Sequence, residues 1–116
     1  MTGYSRGDVV LVLFPNSDLK TFRRRPALIV EADDLNTGLP QVVAAMITSN
    51  LARRNHPSRV FVPLNSSGER AAGLLTDSVI MTDNPATILA TAVERKLGRV
   101  ADLRAVDAAL RQTLAL

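Results

Sequence analysis

The stretch KTFRRRPALIV, Lys20–Val30, decides how the chain is read. Its second half, Ala27-Leu28-Ile29-Val30, is a short continuous aliphatic run of the kind that forms a buried strand. Pro26 opens the run, where the missing N–H of a proline is tolerated. Arg23, Arg24 and Arg25 are therefore fastened to a core strand and not carried on a flexible tail. Arg25 sits at the mouth of that strand, so its guanidinium is rigidly placed. An anion met by such a group would be met in a defined geometry.

Working outward, GDVVLVLF (Gly7–Phe14) reads as a first strand buried on both faces, or nearly so. PNSDLKTFRRR then reads as a surface loop of about eleven residues, long enough to be a candidate for function. The stretch beginning at Pro26 is the second strand, DDLNTGLP a turn, and QVVAAMITSN a third strand ending near Thr48. RVFVPL alternates and reads as a fourth strand, NSSGERAAG as a loop, and LLTDSVIM as a fifth strand. TDNPAT reads as a turn and VERKLGRV as a short last strand. From Asp102 the period changes: Leu103, Val106, Leu110 and Leu114 recur at helical spacing, with Arg104, Asp107 and Arg111 on the other face and Asp102 as N-cap. Five or six strands followed by one helix predict a mainly β (α+β) fold, a small antiparallel barrel with a C-terminal helix packed on it. The whole chain, 1–116, is read as one domain.

The composition limits what such a barrel can do. At 47% hydrophobic residues, a core is assured and wholesale disorder excluded. Aromatics are only 3%, which disfavours a nucleic-acid reader that works by stacking bases on rings. The net charge is +3, with a pI near 10.2. Of the cations only Lys20 and Lys96 are lysines; the rest are arginines, the residue suited to bidentate phosphate or carboxylate contacts. Arg6, Lys20, Arg23, Arg24, Arg25, Arg53, Arg54 and Arg59 all lie in the first sixty residues. RNA, DNA or an acidic protein all fit that distribution. There are no cysteines, which removes disulfides, thiolate metal sites and thiol catalysis. With no signal-peptide pattern or bilayer-length apolar run, the expected location is the cytoplasm.

The second and third strands form a hairpin around Asp33–Pro40 whose centre falls between Asn36 and Thr37. Paired residues then carry numbers that add to about 73, which sets Arg25 opposite Thr48 at the end of the sheet away from the turn. The loop with Lys20, Arg23 and Arg24 and the connection TSNLARRN arrive at that same end. Guanidinium, hydroxyl and a cationic rim together suit phosphoryl chemistry. Cleaving RNA through its own 2′-hydroxyl needs an acceptor for that proton, donors for the charge on five-coordinate phosphorus, and a partner for the departing 5′-oxygen. Arg25 fits the second role and Thr48 can hydrogen-bond a phosphate oxygen or orient the nucleophile. A guanidinium stays protonated and makes a poor base. His56 is the only histidine, which removes a histidine pair, and Asp33 and Asp34 diverge in direction, so no metal site is expected.

RGDVVLVLFPNSDL, RRPALIV, AMITSN, LLTDSVIMTDNPATI and RKLGRVADLRAVDAALRQTL resemble, in that order, segments of the MazF/PemK-like toxins of bacterial type II toxin–antitoxin systems, from about Arg6 to Leu114. The resemblance implies an SH3-like or CcdB-like barrel, a homodimer, and neutralisation by an acidic, extended MazE-like antitoxin. It implies an endoribonuclease that inhibits growth by cutting single-stranded mRNA at short sequences. No metal or other cofactor is implied, and the products would carry 2′,3′-cyclic phosphate and 5′-hydroxyl ends. The family's catalytic arginine precedes the proline of the second strand, here Arg25, and its threonine in the I-T-S segment is Thr48. Asp83 stands in DNPATI where some members use an aspartate as base; by its surroundings alone it is equally a turn-forming residue. Asn84, Ala86 and Met81 depart from the residues usual at their positions. Lys20, Arg23, Arg24, Ser49, Asn50, Arg53 and Arg54 are the expected RNA-binding set. Two other classes explain the same charge: a barrel that binds nucleic acid without cutting it, and a CcdB-like toxin that acts by docking.

Overall fold

The computed structural model describes residues 3–116; the first two residues of the expected domain lie outside it. Six strands form one antiparallel sheet: β1 (Asp8–Pro15), β2 (Phe22–Ile29), β3 (Gln41–Thr48), β4 (Arg59–Val62), β5 (Ser78–Leu89) and β6 (Val93–Arg99). Their order across the sheet is β4-β5-β3-β2-β1-β6. A one-turn helix, α1 (Ser67–Arg70), precedes β5, and α2 (Arg104–Leu114) closes the chain. The mainly β architecture with a late helix is the one expected. The sheet is barrel-like but open, since the edge strands β4 and β6 share no ladder.

Side-chain alternation divides the interior in two. Val10, Val12, Ala27, Ile29, Val42, Ala44, Ile88 and Val93 form one cluster, which draws β6 and the second half of β5 around the same face. Val9, Leu28, Ala45, Ile47, Val62 and Ile80 form another against Val106 of α2. Both faces of the sheet's middle are thus dry, which is why β1 and β2 read as unbroken aliphatic runs. Towards its end β1 emerges: Leu13 and Pro15 are exposed.

The ladder between β2 and β3 pairs Ala27 with Met46, Leu28 with Ala45 and Ile29 with Ala44, numbers that add to 73. It ends there, so Arg25 and Thr48 lie on the extension of this register, one alternation beyond its last pair.

Four details differ from the sequence-based expectation. The first loop is shorter than expected, because Phe22–Arg25 find partners along Pro15–Val12 of β1 and join the strand. Only Asn16–Thr21 remain as loop, folded around Asp18, whose carboxylate accepts the Lys20 and Thr21 N–H groups. TDNPAT is not a turn. It continues β5, where Ala44 pairs Ala86 and Val42 pairs Ile88, after an irregularity in which Met46 alone opposes Met81–Asn84. The NSSGERAAG loop contains α1, capped by Ser66, whose hydroxyl accepts the Glu69 N–H. Finally, α2 begins at Arg104 with Leu103 at the N-cap position. The Asp102 carboxylate nevertheless accepts the Arg104 N–H, and Arg104's guanidinium and that N–H hold its pKa at about 2. Leu114, at the other end, is exposed.

Candidate active site

Alternation along β2 puts Arg25 on the face of Ala27 and Ile29; Arg23 shares it, and Arg24 faces the other way. Arg24 is ion-paired there with Glu94 of β6, Nε to Oε1 2.7 Å. The triple arginine is therefore divided by the pleat, which a linear reading of RRR does not show. Arg25 is half-buried, and its Nε has no hydrogen-bond partner. The guanidinium's one hydrogen bond among the described residues is a long one, 3.4 Å from Nη2 to the Asn16 side-chain oxygen. Asn16 is itself held by Thr21 across the loop, Nδ2 to Oγ1 2.9 Å. A buried donor left short of acceptors is uncommon, because the group gives up water without replacing it.

Thr48 lies on the same face as Arg25, by alternation from Val42 and Ala44 of the shared cluster. Its hydroxyl oxygen accepts the Asn50 N–H at 3.1 Å, and the Asn50 side chain accepts the Ala52 N–H at 3.0 Å. The hydroxyl's own proton is thereby directed away from this turn. Ser49 and Asn50 are exposed at the start of the connection, and Asn50 is committed to shaping it. Arg53 and Arg54 are exposed further along, with Arg54 Nη1 donating to the Leu51 carbonyl. Lys20 is exposed on the short loop.

Asp83 lies in the irregular part of β5. One carboxylate oxygen accepts the Ser58 hydroxyl at 3.1 Å. The other is 2.9 Å from Arg59 Nε, an ion pair without hydrogen-bond alignment, so Arg59 Nε is also a buried donor with no hydrogen-bond partner. His56 Nδ1 accepts the Ser58 N–H at 3.1 Å and lies 2.8 Å from the Ser58 hydroxyl. Thr82 is bonded to the Ser58 carbonyl through both its N–H and its hydroxyl. Sequence reasoning missed Asn16, Ser58 and Arg59. Only Arg59, an arginine alternating with Val60 on a strand, carried a local signal.

The opposite end of the β2–β3 hairpin holds a concavity of about 460 Å³ with Glu31 and Asp33 on its wall. Its acidic lining sets it apart from the cationic end that carries Arg25.

A family model for the PemK-like, MazF-like toxins of type II toxin–antitoxin systems matches residues 5–114, and the chain belongs to that family. Endoribonuclease MazF6 of Mycobacterium tuberculosis is 34% identical over 107 residues, 90% of each chain. An endoribonuclease from a mycobacterial species has the same fold at a TM-score of 0.73, with 27% identity over 100% of this chain and 95% of that one. A mycobacterial endoribonuclease solved with its cognate antitoxin matches at 0.73 and 26% identity, covering 98% and 97% of the two chains.

Proposed function

We propose that this toxin-family protein is an endoribonuclease that cuts single-stranded mRNA through the RNA's own 2′-hydroxyl. The observation that carries the reading is the half-buried Arg25 guanidinium, on the face of Thr48 where the β2–β3 ladder has ended, with a donor unfilled. In the step, the P–O2′ bond forms as the P–O5′ bond breaks. The 2′ proton leaves to a base and the 5′-oxygen gains a proton, so a 2′,3′-cyclic phosphate and a 5′-hydroxyl result. Arg25 meets the negative charge that builds on the non-bridging oxygens of the phosphorane. Thr48 donates a hydrogen bond from its hydroxyl to the reacting phosphate and fixes its position. Asp83 is the carboxylate on β5 available to accept the 2′ proton, with Ser58 and Arg59 orienting it. Lys20, Arg23, Ser49, Asn50, Arg53 and Arg54 hold the flanking RNA, with Arg24 on the far face supporting the strand through Glu94.

The family and the complexed mycobacterial relative support an antitoxin partner for this chain, whose acidic segment would occupy the same cationic end and exclude RNA. The working form is a cytoplasmic homodimer. Among the described residues no helix is long and apolar enough to cross a membrane. Two copies give RNA a longer cationic track than one small barrel offers. Light scattering at micromolar concentration should give twice the chain mass, and a monomer overturns the dimer.

The test of the chemistry is incubation with a defined single-stranded RNA in EDTA. Cleavage leaving cyclic-phosphate ends supports the reading. A 2′-O-methyl group at the cut site should abolish cleavage and leave a bound complex. Binding without cleavage of unblocked RNA, or neither, overturns it in favour of a binding barrel or a docking toxin.

A further inference from the structure

Among the described residues, two buried side-chain nitrogens have no hydrogen-bond partner: Arg25 Nε and Arg59 Nε. They are far apart in sequence, yet the ladders bring them to one face. Thr48 pairs with Val79 of β5, and Met81, two residues on, pairs with Arg59 of β4. Partners and alternate residues share a face, so Arg59 lies on the face of Thr48. The 73 register carries that face to Arg25 on β2. Val60 and Val62 of β4 turn the other way, into the cluster under α2. Arg25 and Arg59 thus stand on either side of Thr48, three strand spacings or about 14 Å apart at the backbone. Backbones that far apart leave the two side chains able to meet neighbouring phosphates of one strand from opposite sides.

The Arg59 side chain is only 16% exposed. Its Nε edge is held against Asp83, which Ser58 anchors in turn. No hydrogen bond among the described residues uses the guanidinium at all. A guanidinium has five donors on two edges, and here one edge is clamped while the other has no acceptor. Nη1 and Nη2 are not enclosed as Nε is, so they are open to an incoming acceptor, while Asp83 holds the buried edge in place.

We propose that Arg59 is a second phosphate-binding residue of the site. It offers its terminal nitrogens to a non-bridging oxygen of the phosphate next to the one cleaved, while Asp83 and Ser58 hold it in that orientation. This rests on the endoribonuclease reading, and the experiment separates the two.

The cut site is first mapped with the wild-type protein on a long transcript. Failure to cut any RNA overturns the parent reading before Arg59 is touched. Oligonucleotides blocked by 2′-O-methyl at that site then carry a single neutral methylphosphonate at each position in turn. In the wild type, one linkage adjacent to the cut should weaken binding about tenfold on neutralisation. In Arg59→Gln the same linkage should make no difference. Overall affinity should fall about tenfold, and the slope of log affinity against log salt should shrink by about 0.7, one contact's worth for a single strand. Arg59→Lys, which keeps the charge beside Asp83, should keep most of the salt slope and lose the sharp dependence on that linkage. It carries the test if thermal melting shows that Arg59→Gln does not fold. A wild type that cuts RNA, with Arg59 variants that keep its full linkage dependence and salt slope, overturns the role of Arg59 and leaves that of Arg25 standing.

Discussion

Charges within this sheet are handled in opposite ways. Asp8, at the start of β1, has a side chain only 5% exposed, and every partner it needs is present. It accepts the Ser5 N–H at 2.9 Å, Arg99 lies 2.9 Å away and Lys96 3.2 Å. Burial by itself pushes its carboxyl up. The Ser5 N–H, Lys96 and Arg99 together outweigh that and leave it below the ordinary carboxylate value. At the other pole, half-buried Arg25 and Arg59, the latter ion-paired with Asp83, each keep a buried Nε without a hydrogen-bond partner. A saturated buried charge ties strands together, here β1 to β6. A buried charge with unfilled donors holds free energy that only a ligand recovers. The first serves the fold, and the second is what the proposed phosphate-binding roles of Arg25 and Arg59 would use.

The sharpest way to break this contrast is Arg25→Lys. The charge survives but the planar fork does not, so RNA binding should largely persist while cleavage falls a hundredfold or more in single-turnover assays. Equal losses in binding and cleavage would make Arg25 an ordinary binding residue. Asp8→Asn probes the other pole. It should lower unfolding free energy by roughly 1–3 kcal/mol at neutral pH, measured by denaturant titration, because it removes the charge that Lys96 and Arg99 face. The folded carboxyl titrates below its unfolded value of about 3.9. Its contribution is therefore complete above that pH and disappears as pH falls through the lower folded value, where wild type and variant should converge. Cleavage at neutral pH should suffer only as far as the fold does.

Thr48→Val keeps the β-branched shape and deletes the hydroxyl. Turnover should drop about tenfold, with the melting temperature little changed, since the Thr48 hydroxyl's one hydrogen bond among the described residues is the turn contact to Asn50. The smallest effects compare neighbours. Arg23→Ser should reduce the salt slope of binding to blocked RNA by about 0.7. Arg24→Ser should reduce it less, because that guanidinium lies on the other face and is already paired with Glu94. Identical slopes for the two would mean that the pleat does not sort these arginines.

Much of this was legible from local pattern. Ala27–Val30 and Val9–Phe14 are aliphatic runs that form strands almost wherever they are placed, and the hairpin register followed from the turn's centre. Leu103, Val106 and Leu110 announced α2 by their spacing. The errors came where neighbours override local preference. Asp-Asn-Pro reads as a turn, but β3 offers a ladder to Ala86–Leu89, and the extra residues of β5 are absorbed opposite Met46. Arg23–Arg25 read as loop until β1 supplies backbone partners for them.

The sequence by itself determined the strand cores, the late helix, the family and Arg25's place directly before Pro26 of β2, because each is written in local stretches of the chain. Only the tertiary structure decided which arginines share a face. It separated Arg24 from its neighbours by the pleat. It drew Asp83 to Ser58 across more than twenty residues, gave it Arg59, and set Arg59 on the same face as Thr48. Those relations arise from pairing between distant strands and from one irregularity in β5. Neither leaves a periodic trace in the residues that it brings together.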